Sequence, residues 1–240
     1  MKKRTLALFI TLLFISTITK AQLSRPHFVS ANFGTNLPLG DYQEVDSIAS
    51  SGANAGLYYS FEAGAYFSKV LGVALNIGAF SNSVDEESIK DQLKRDLGSN
   101  NEFSVNSDNW VNGYIMLGPI LSLGTEKIIV DLKVLGGVIN SAKPFINVET
   151  QSGTTTTTFN QSNEVTAFSL GLNYGLHVRI KLKSKIGLRV NAEGFMGNQE
   201  FETRVIEASM DDPTKETITT QKLEKNIQAL NLGLGLSITF

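Results

Sequence analysis

The stretch IQALNLGLGLSITF, residues 227–240, decides the fold of this chain. Large apolar side chains occupy every second position, and small or polar residues occupy the positions between them. The apolar set is Leu230, Leu232, Leu234, Leu236, Ile238 and Phe240, and the other set is Ala229, Asn231, Gly233, Gly235, Ser237 and Thr239. A period of two places successive side chains on opposite faces of a β-strand. The sequence therefore predicts a strand with one apolar face and one small, polar face.

Seven stretches upstream repeat this alternation: 28–37, 55–67, 71–82, 111–123, 128–140, 165–180 and 186–197. Short connections at 68–70, 124–127 and 181–185 alternate with long polar ones at 38–54, 83–110, 141–164 and 198–226. The pattern predicts an all-β protein, an eight-stranded antiparallel up-and-down transmembrane β-barrel with short periplasmic turns and four long extracellular loops. A soluble barrel is the alternative, but it would need an apolar interior and a wet exterior. Here the large apolar residues lie on one face of every strand, and small or polar residues lie on the other face.

The N-terminus has the three parts of a secretory signal peptide. A basic Met1-Lys2-Lys3-Arg4 precedes an apolar run from Leu6 to Ile18, and small residues precede a cleavage site between Ala21 and Gln22. We expect a signal peptide over 1–21 and one barrel domain over 22–240; an uncleaved signal anchor is the alternative. Cleavage would remove four of 21 Lys and Arg residues and no acid, leaving 17 cations against 23 acids, a net charge of −6. This charge disfavours nucleic acid as a partner.

Two short segments and the last residue carry a family resemblance: GTNLPLGDY at 34–42, GAYFSKVLG at 64–72, and Phe240. With the strand pattern, they resemble the OmpA/OmpX-like outer-membrane β-barrel superfamily, in particular the PorT-like versions common in Bacteroidetes. The resemblance implies localisation in the cell outer membrane after secretion, in contact with outer-membrane lipids and lipopolysaccharide. It also implies that Phe240 is an assembly signal for the barrel-assembly machinery.

Charged residues of the strands fall on the small-residue face, which faces the lumen. They are Glu62, Asp131, Lys133, His177, Arg179, Arg189 and Glu193. Because a buried unpaired charge is costly, we expect a paired lumen charge network. Counting from the short turns places Asp131, Arg179 and Arg189 in one layer, and Glu62 and Glu193 in a higher one. The network either fills and fixes the lumen or, as the resemblance implies, forms a gated polar plug.

No catalytic, cofactor or metal site is predicted. Cysteine is absent, which excludes thiol nucleophiles and zinc–thiolate sites. The only histidines, His27 and His177, fall towards the periplasmic end, away from the outer leaflet where a lipid A enzyme would act. The predicted function is a non-enzymatic outer-membrane barrel with a structural or surface-binding role. The alternatives are a PorT-like secretion or assembly factor and a lipid A-modifying enzyme.

Two long loops carry local structural signals. Ser83-Val84-Asp85-Glu86 matches a capping box, and Ile89, Leu93 and Leu97 follow at helical spacing before Gly98. This predicts a short helix that packs on the barrel mouth or on a partner. The threonine run at 154–158 predicts a hairpin that extends the two adjacent barrel strands. Acids concentrated in the long loops predict a solvated acidic rim.

Overall fold

The computed structural model describes residues 25–45, 52–97, 102–152, 155–161, 165–208 and 216–240. The predicted signal peptide and its Ala21–Gln22 cleavage site lie outside these ranges. None of the helices in the described ranges is long and apolar enough to cross a membrane.

Eleven strands occur in the described residues. They are β1 (Phe28–Leu39), β2 (Ala53–Tyr66), β3 (Leu71–Val84), β4 (Glu102–Ser107), β5 (Trp110–Gly124), β6 (Ile128–Ala142), β7 (Ile146–Ser152), β8 (Thr155–Gln161), β9 (Thr166–Lys181), β10 (Ile186–Ala208) and β11 (Glu216–Thr239). Eight of them form a closed ring in the order β1-β11-β10-β9-β6-β5-β3-β2. All ring pairs are antiparallel, and β1 pairs with β11 from Phe28 and Thr239 to Leu39 and Gln228. The predicted eight-stranded antiparallel barrel is confirmed.

The two faces of each barrel strand differ as the alternation predicts. In β11, Leu234, Leu236 and Ile238 are exposed on the outer face, whereas Asn231 and Ser237 are buried in the lumen. The three short connections lie together at one end, here called the short-turn end; the opposite end is the long-loop end. At the short-turn end, Gly124 has a φ of +117°, which an L side chain rarely adopts.

The fourth long connection differs from its prediction. Most of 198–226 is strand rather than loop, because β10 and β11 stay paired up to Ala208 and Glu216. The pairing of β10 with β9 stops earlier, at Gly197. The pairing of β11 with β1 likewise stops at Gln228. The hairpin therefore continues beyond the barrel. Its outward positions, such as Glu200 and Glu202, are polar and exposed, so the apolar alternation used for the prediction ends while the strand continues.

The second and third long connections build a separate three-stranded sheet in the order β4-β7-β8. The predicted threonine hairpin exists as β7 and β8, paired from Ile146 and Gln161 to Ser152 and Thr155. It does not extend β6 and β9 as predicted, because β7 pairs on its other edge with β4. The sequence pattern does not predict β4, because this strand is short and contains only two large apolar residues, Phe103 and Val105.

The short helix predicted for the second long connection is present as α1 (Glu86–Leu97). Its cap is Asp85 rather than Ser83: the Asp85 carboxylate accepts the Ser88 backbone N–H at 3.1 Å and the Ser88 hydroxyl at 2.7 Å. Glu86 instead accepts hydrogen bonds from the backbone and hydroxyl of Ser107 in β4. Ile89 and Leu93 are buried, so the apolar stripe of α1 packs within this chain.

Candidate functional site: the charged lumen

The lumen holds all seven charged residues predicted to face inward. Each is at most 4% exposed: Glu62, Asp131, Lys133, His177, Arg179, Arg189 and Glu193. They come from β2, β6, β9 and β10, and β2 lies across the barrel from the other three in the ring order. Contacts among these residues therefore join opposite walls.

The lower cluster, nearer the short-turn end, is built around Asp131 and Arg179. Arg179 donates to both carboxylate oxygens, from Nε at 2.6 Å and from Nη2 at 2.9 Å. The same Nη2 donates to the Tyr66 hydroxyl at 2.6 Å, and Ser122 donates to Asp131. The guanidinium carbon also lies 4.2 Å from the ring centroid of Phe28. This two-point geometry is the strong form of an arginine–carboxylate pair.

The central cluster contains the other five charged residues. Glu62 pairs with both Lys133 and Arg189. Lys133 also binds Glu193 at 3.0 Å, and His177 Nε2 lies 2.8 Å from the same Glu193 oxygen. Arg189 contacts His177 Nδ1, so the imidazole is held between a cation and a carboxylate. The cluster ties β2 to β6, β9 and β10.

The seven side chains balance in charge when His177 is neutral, with three carboxylates against three Lys and Arg cations. Ligand atoms of Glu62, His177 and Glu193 lie within 4.8 Å of one another, a spacing that suits a metal ion. However, the Lys133 ammonium and the Arg189 guanidinium already bind these carboxylates. Two protein cations thus already neutralise the carboxylates that a metal ion would need.

The layers predicted from the sequence are corrected at Arg189. Its backbone pairs with Arg179, at the height of the lower layer as predicted. Its side chain, however, reaches the central cluster and contacts Glu62, while Asp131 is held by Arg179. An arginine side chain is long enough to cross between layers, so counting backbone positions could not assign its partner.

Above the central cluster, large side chains fill space that glycines leave open. The Tyr58 ring lies where a Cβ at Gly34 or Gly233 would stand, 2.7 and 2.3 Å from Tyr58 atoms respectively. Its hydroxyl accepts a hydrogen bond from Asn191. The alternation in the sequence predicts that Tyr58 and Asn191 face inward, but it does not identify the glycines that the Tyr58 ring covers.

Aromatic rings close the upper half of the lumen. Phe195 packs edge-on against Phe80 with centroids 4.9 Å apart, and Tyr114 lies 5.1 Å from Phe195. Nearer the long-loop end, Trp110 packs against Tyr42 and Phe201 at 5.7 and 5.8 Å. All six rings are nearly fully buried. The lumen is thus filled by two ionic clusters and two aromatic layers.

Two buried lysines lie at the long-loop end, Lys143 and Lys225. The Lys225 ammonium donates to the Glu44 carbonyl at 3.1 Å. Burial, together with the nearby charge of Lys225, lowers the pKa of Lys143 to about 8. This end of the molecule therefore contains an amine that changes charge just above neutral pH.

No protein-family model matches the chain, and no curated protein matches it significantly. Among solved structures, the outer membrane protein OprG from Pseudomonas aeruginosa is similar with 12% identity and a TM-score of 0.47, covering 90% of this chain and 97% of that one. Ail, the attachment invasion locus protein of Yersinia pestis, has 10% identity and a TM-score of 0.43, covering 90% and 99%. Neisserial surface protein A has 14% identity and a TM-score of 0.43, with the same coverage. Similarity at this level does not indicate a function. The barrel assignment rests on the strand pairing of this chain.

Proposed function

We propose that this chain is a non-enzymatic outer-membrane β-barrel protein. Its filled lumen acts as a rigid core, and its long-loop end faces the cell exterior in a structural or surface-binding role. In this proposal the chain is secreted with cleavage after Ala21, and Phe240 is the signal for barrel assembly. In the membrane it contacts outer-membrane lipids and lipopolysaccharide.

The apolar exterior of the closed ring is the observation that carries this proposal. Outward side chains on strands all around the barrel are largely exposed, among them Leu57 at 75%, Phe61 at 65%, Leu170 at 80% and Leu236 at 58%. A soluble monomer rarely leaves so continuous an apolar surface in water. A closed ring also satisfies its backbone hydrogen bonds internally, as hydrocarbon requires. A strand such as β1, with 12 residues, projects to roughly 30 Å along a tilted barrel axis, enough for the apolar band of such proteins.

The interior supports a structural role for the lumen. The central cluster is neutral as a set and joins opposite walls, and the aromatic layers above it leave the charged groups buried. His177 is enclosed by Arg189 and Glu193, while the His27 ring accepts the Tyr66 N–H at 3.1 Å. Both histidines thus have structural partners, which favours a non-enzymatic role.

Topology can be tested in intact cells, because the chain has no cysteine of its own. Asp91→Cys, on the exposed face of α1, should react with a membrane-impermeant maleimide in intact cells. Ser184→Cys, in the short turn after β9, is equally exposed in the structure but should react only after the outer membrane is permeabilised. Equal labelling of both positions in intact cells would contradict the proposed orientation.

The two alternatives have distinct tests. A lipid A-modifying enzyme predicts a mass difference between lipid A from deletion and wild-type cells, and our proposal predicts identical spectra. A PorT-like secretion or assembly factor, which rests on the sequence resemblance alone, predicts that periplasmic proteins co-purify stoichiometrically from detergent extracts.

A further inference from the structure

A cavity of about 550 Å³ opens at the short-turn end of the barrel. Its wall combines the segment before β1, the turns after β2 and β5, and residues at the ends of β6, β9, β10 and β11. Ser237 and Thr239 of this wall lie on the inner face of β11, whereas Leu236 and Ile238 lie on its exposed outer face. The cavity therefore opens along the barrel axis towards the aqueous side. Its volume is typical of a site for a small ligand.

The wall of this cavity is strongly basic. Its ionisable side chains are Arg25, Lys69, Lys127, Arg179, Lys181 and the single acid Glu126. Arg179 is neutralised by Asp131, which leaves four cations against one carboxylate. In the described part of the chain, none of these four cations forms an ion pair. An excess of three positive charges therefore surrounds the cavity of a protein whose overall charge is negative.

Arg25 is held in place on the cavity wall. Its backbone N–H donates to the Ser68 carbonyl at 3.4 Å, and Nε donates to the Lys69 carbonyl at 2.6 Å. Nη2 donates to the Gly124 carbonyl at 3.2 Å. These acceptors are neutral, so the guanidinium is positioned while its charge stays uncompensated. A guanidinium has five N–H donors, and the two carbonyls use only two of them.

We propose that this cavity is a binding site for a phosphate group. A phosphate monoester carries a charge of about −1.5 to −2 at neutral pH and three strong acceptor oxygens, which suits several converging cations better than a single carboxylate does. Arginine provides planar, two-point recognition of such a group, and lysine acts as a mobile point charge. The phosphate comes either from a soluble monoester or from a phospholipid headgroup at the short-turn face, whose phosphodiester carries a single negative charge.

The test uses the protein purified from its membrane into a zwitterionic detergent, with pyrophosphate as the probe in calorimetric titrations. Lys69→Gln combined with Lys127→Gln removes two cavity charges and should weaken binding at least tenfold. The matched control is Lys183→Gln combined with Lys185→Gln, which removes two exposed charges from the same end of the barrel but not from the cavity wall. The control should change affinity less than threefold. Circular dichroism verifies that both variants retain the barrel.

Equal weakening by both pairs would overturn the proposal, since a diffuse positive field would then account for the binding. Absence of wild-type binding at millimolar pyrophosphate would overturn it as well. Two lipid nanodisc preparations identify the source of the phosphate. Weaker pyrophosphate binding in phosphatidylglycerol than in a phosphate-free sulfolipid of the same charge would support a lipid headgroup as occupant, and equal binding would support a soluble phosphate compound. None of these outcomes bears on the proposed membrane topology, which the maleimide experiment tests separately.

Discussion

Replacement of Arg189 by alanine is the most informative perturbation of the lumen. Arg189 is fully buried and contacts Glu62, His177 and Ser30. In its absence Glu62 keeps one lysine, Lys133, which Glu193 also shares, and the imidazole of His177 at 3.8 Å. The central cluster would then contain two carboxylates and one lysine, so one negative charge would lack a cation.

The expected cost follows from that stranded charge. Removing one partner of a buried ion pair costs about 3–5 kcal/mol, and we expect Arg189→Ala to fall near the lower end because Lys133 remains. Glu62→Gln should cost a similar amount, because it strands Arg189. The double variant leaves neither charge alone, so its cost should be at least about 1 kcal/mol below the sum of the single costs.

The assay is urea unfolding in lipid vesicles, followed by the fluorescence of Trp110, the only tryptophan of the chain. The control cycle combines Arg189→Ala with Asp131→Asn. Asp131 is bound by Arg179 at two points, so this second coupling energy should be clearly smaller. Additive costs for Arg189 and Glu62, or a larger coupling with Asp131, would refute the assignment of partners in the central cluster.

Three further predictions address the exterior, the C-terminus and the long-loop end. Leu234→Arg, on the exposed outer face, should destabilise the refolded protein by roughly 2–4 kcal/mol in vesicles, whereas Leu234→Phe should change little; equal effects would contradict the lipid-facing assignment. Deleting Phe240, whose N–H donates to the His27 carbonyl at 3.0 Å and whose ring packs on that histidine, should lower outer-membrane levels in cell fractions, and Phe240→Tyr should not. The pKa of Lys143 is lowered to about 8, so between about pH 8 and 10 this lysine is protonated in the unfolded chain and neutral in the folded chain. The free energy of unfolding, measured with urea, should therefore rise across that pH range in the wild type and stay flat in Lys143→Met.

The barrel was predictable because one physical requirement acts on every strand. A sheet that is apolar outside and polar inside must show a period of two, and the eight predicted stretches match the eight ring strands. The charged residues of the lumen were predictable for the same reason, since parity alone assigns Glu62 or Arg189 to the inner face. The alternation does not show how far a side chain extends along the lumen, so the pairing of Arg189 with Glu62 is seen only in the structure.

The long-loop end was less predictable because no apolar environment imposes the same pattern there. Beyond the barrel, β10 and β11 carry polar residues on their outward positions, and cross-strand pairs such as Lys222 with Glu200 form between exposed side chains. Such a strand resembles a polar loop in sequence. The separate sheet depends on pairing between β4 and β7, which are nearly 40 residues apart in sequence, and no local signal indicates that contact.

The central claim is that β11 and its neighbours present one face to lipid and the other to a filled lumen. The most direct measurement is a scan of single cysteines along 231–238, each spin-labelled in the protein reconstituted into bilayers; the chain has no other cysteine. Our account predicts a period of two, with high collision rates with oxygen at Leu232, Leu234, Leu236 and Ile238 and low rates at the intervening positions. A uniform accessibility profile, or preferential access of a water-soluble relaxant to the leucine positions, would contradict it.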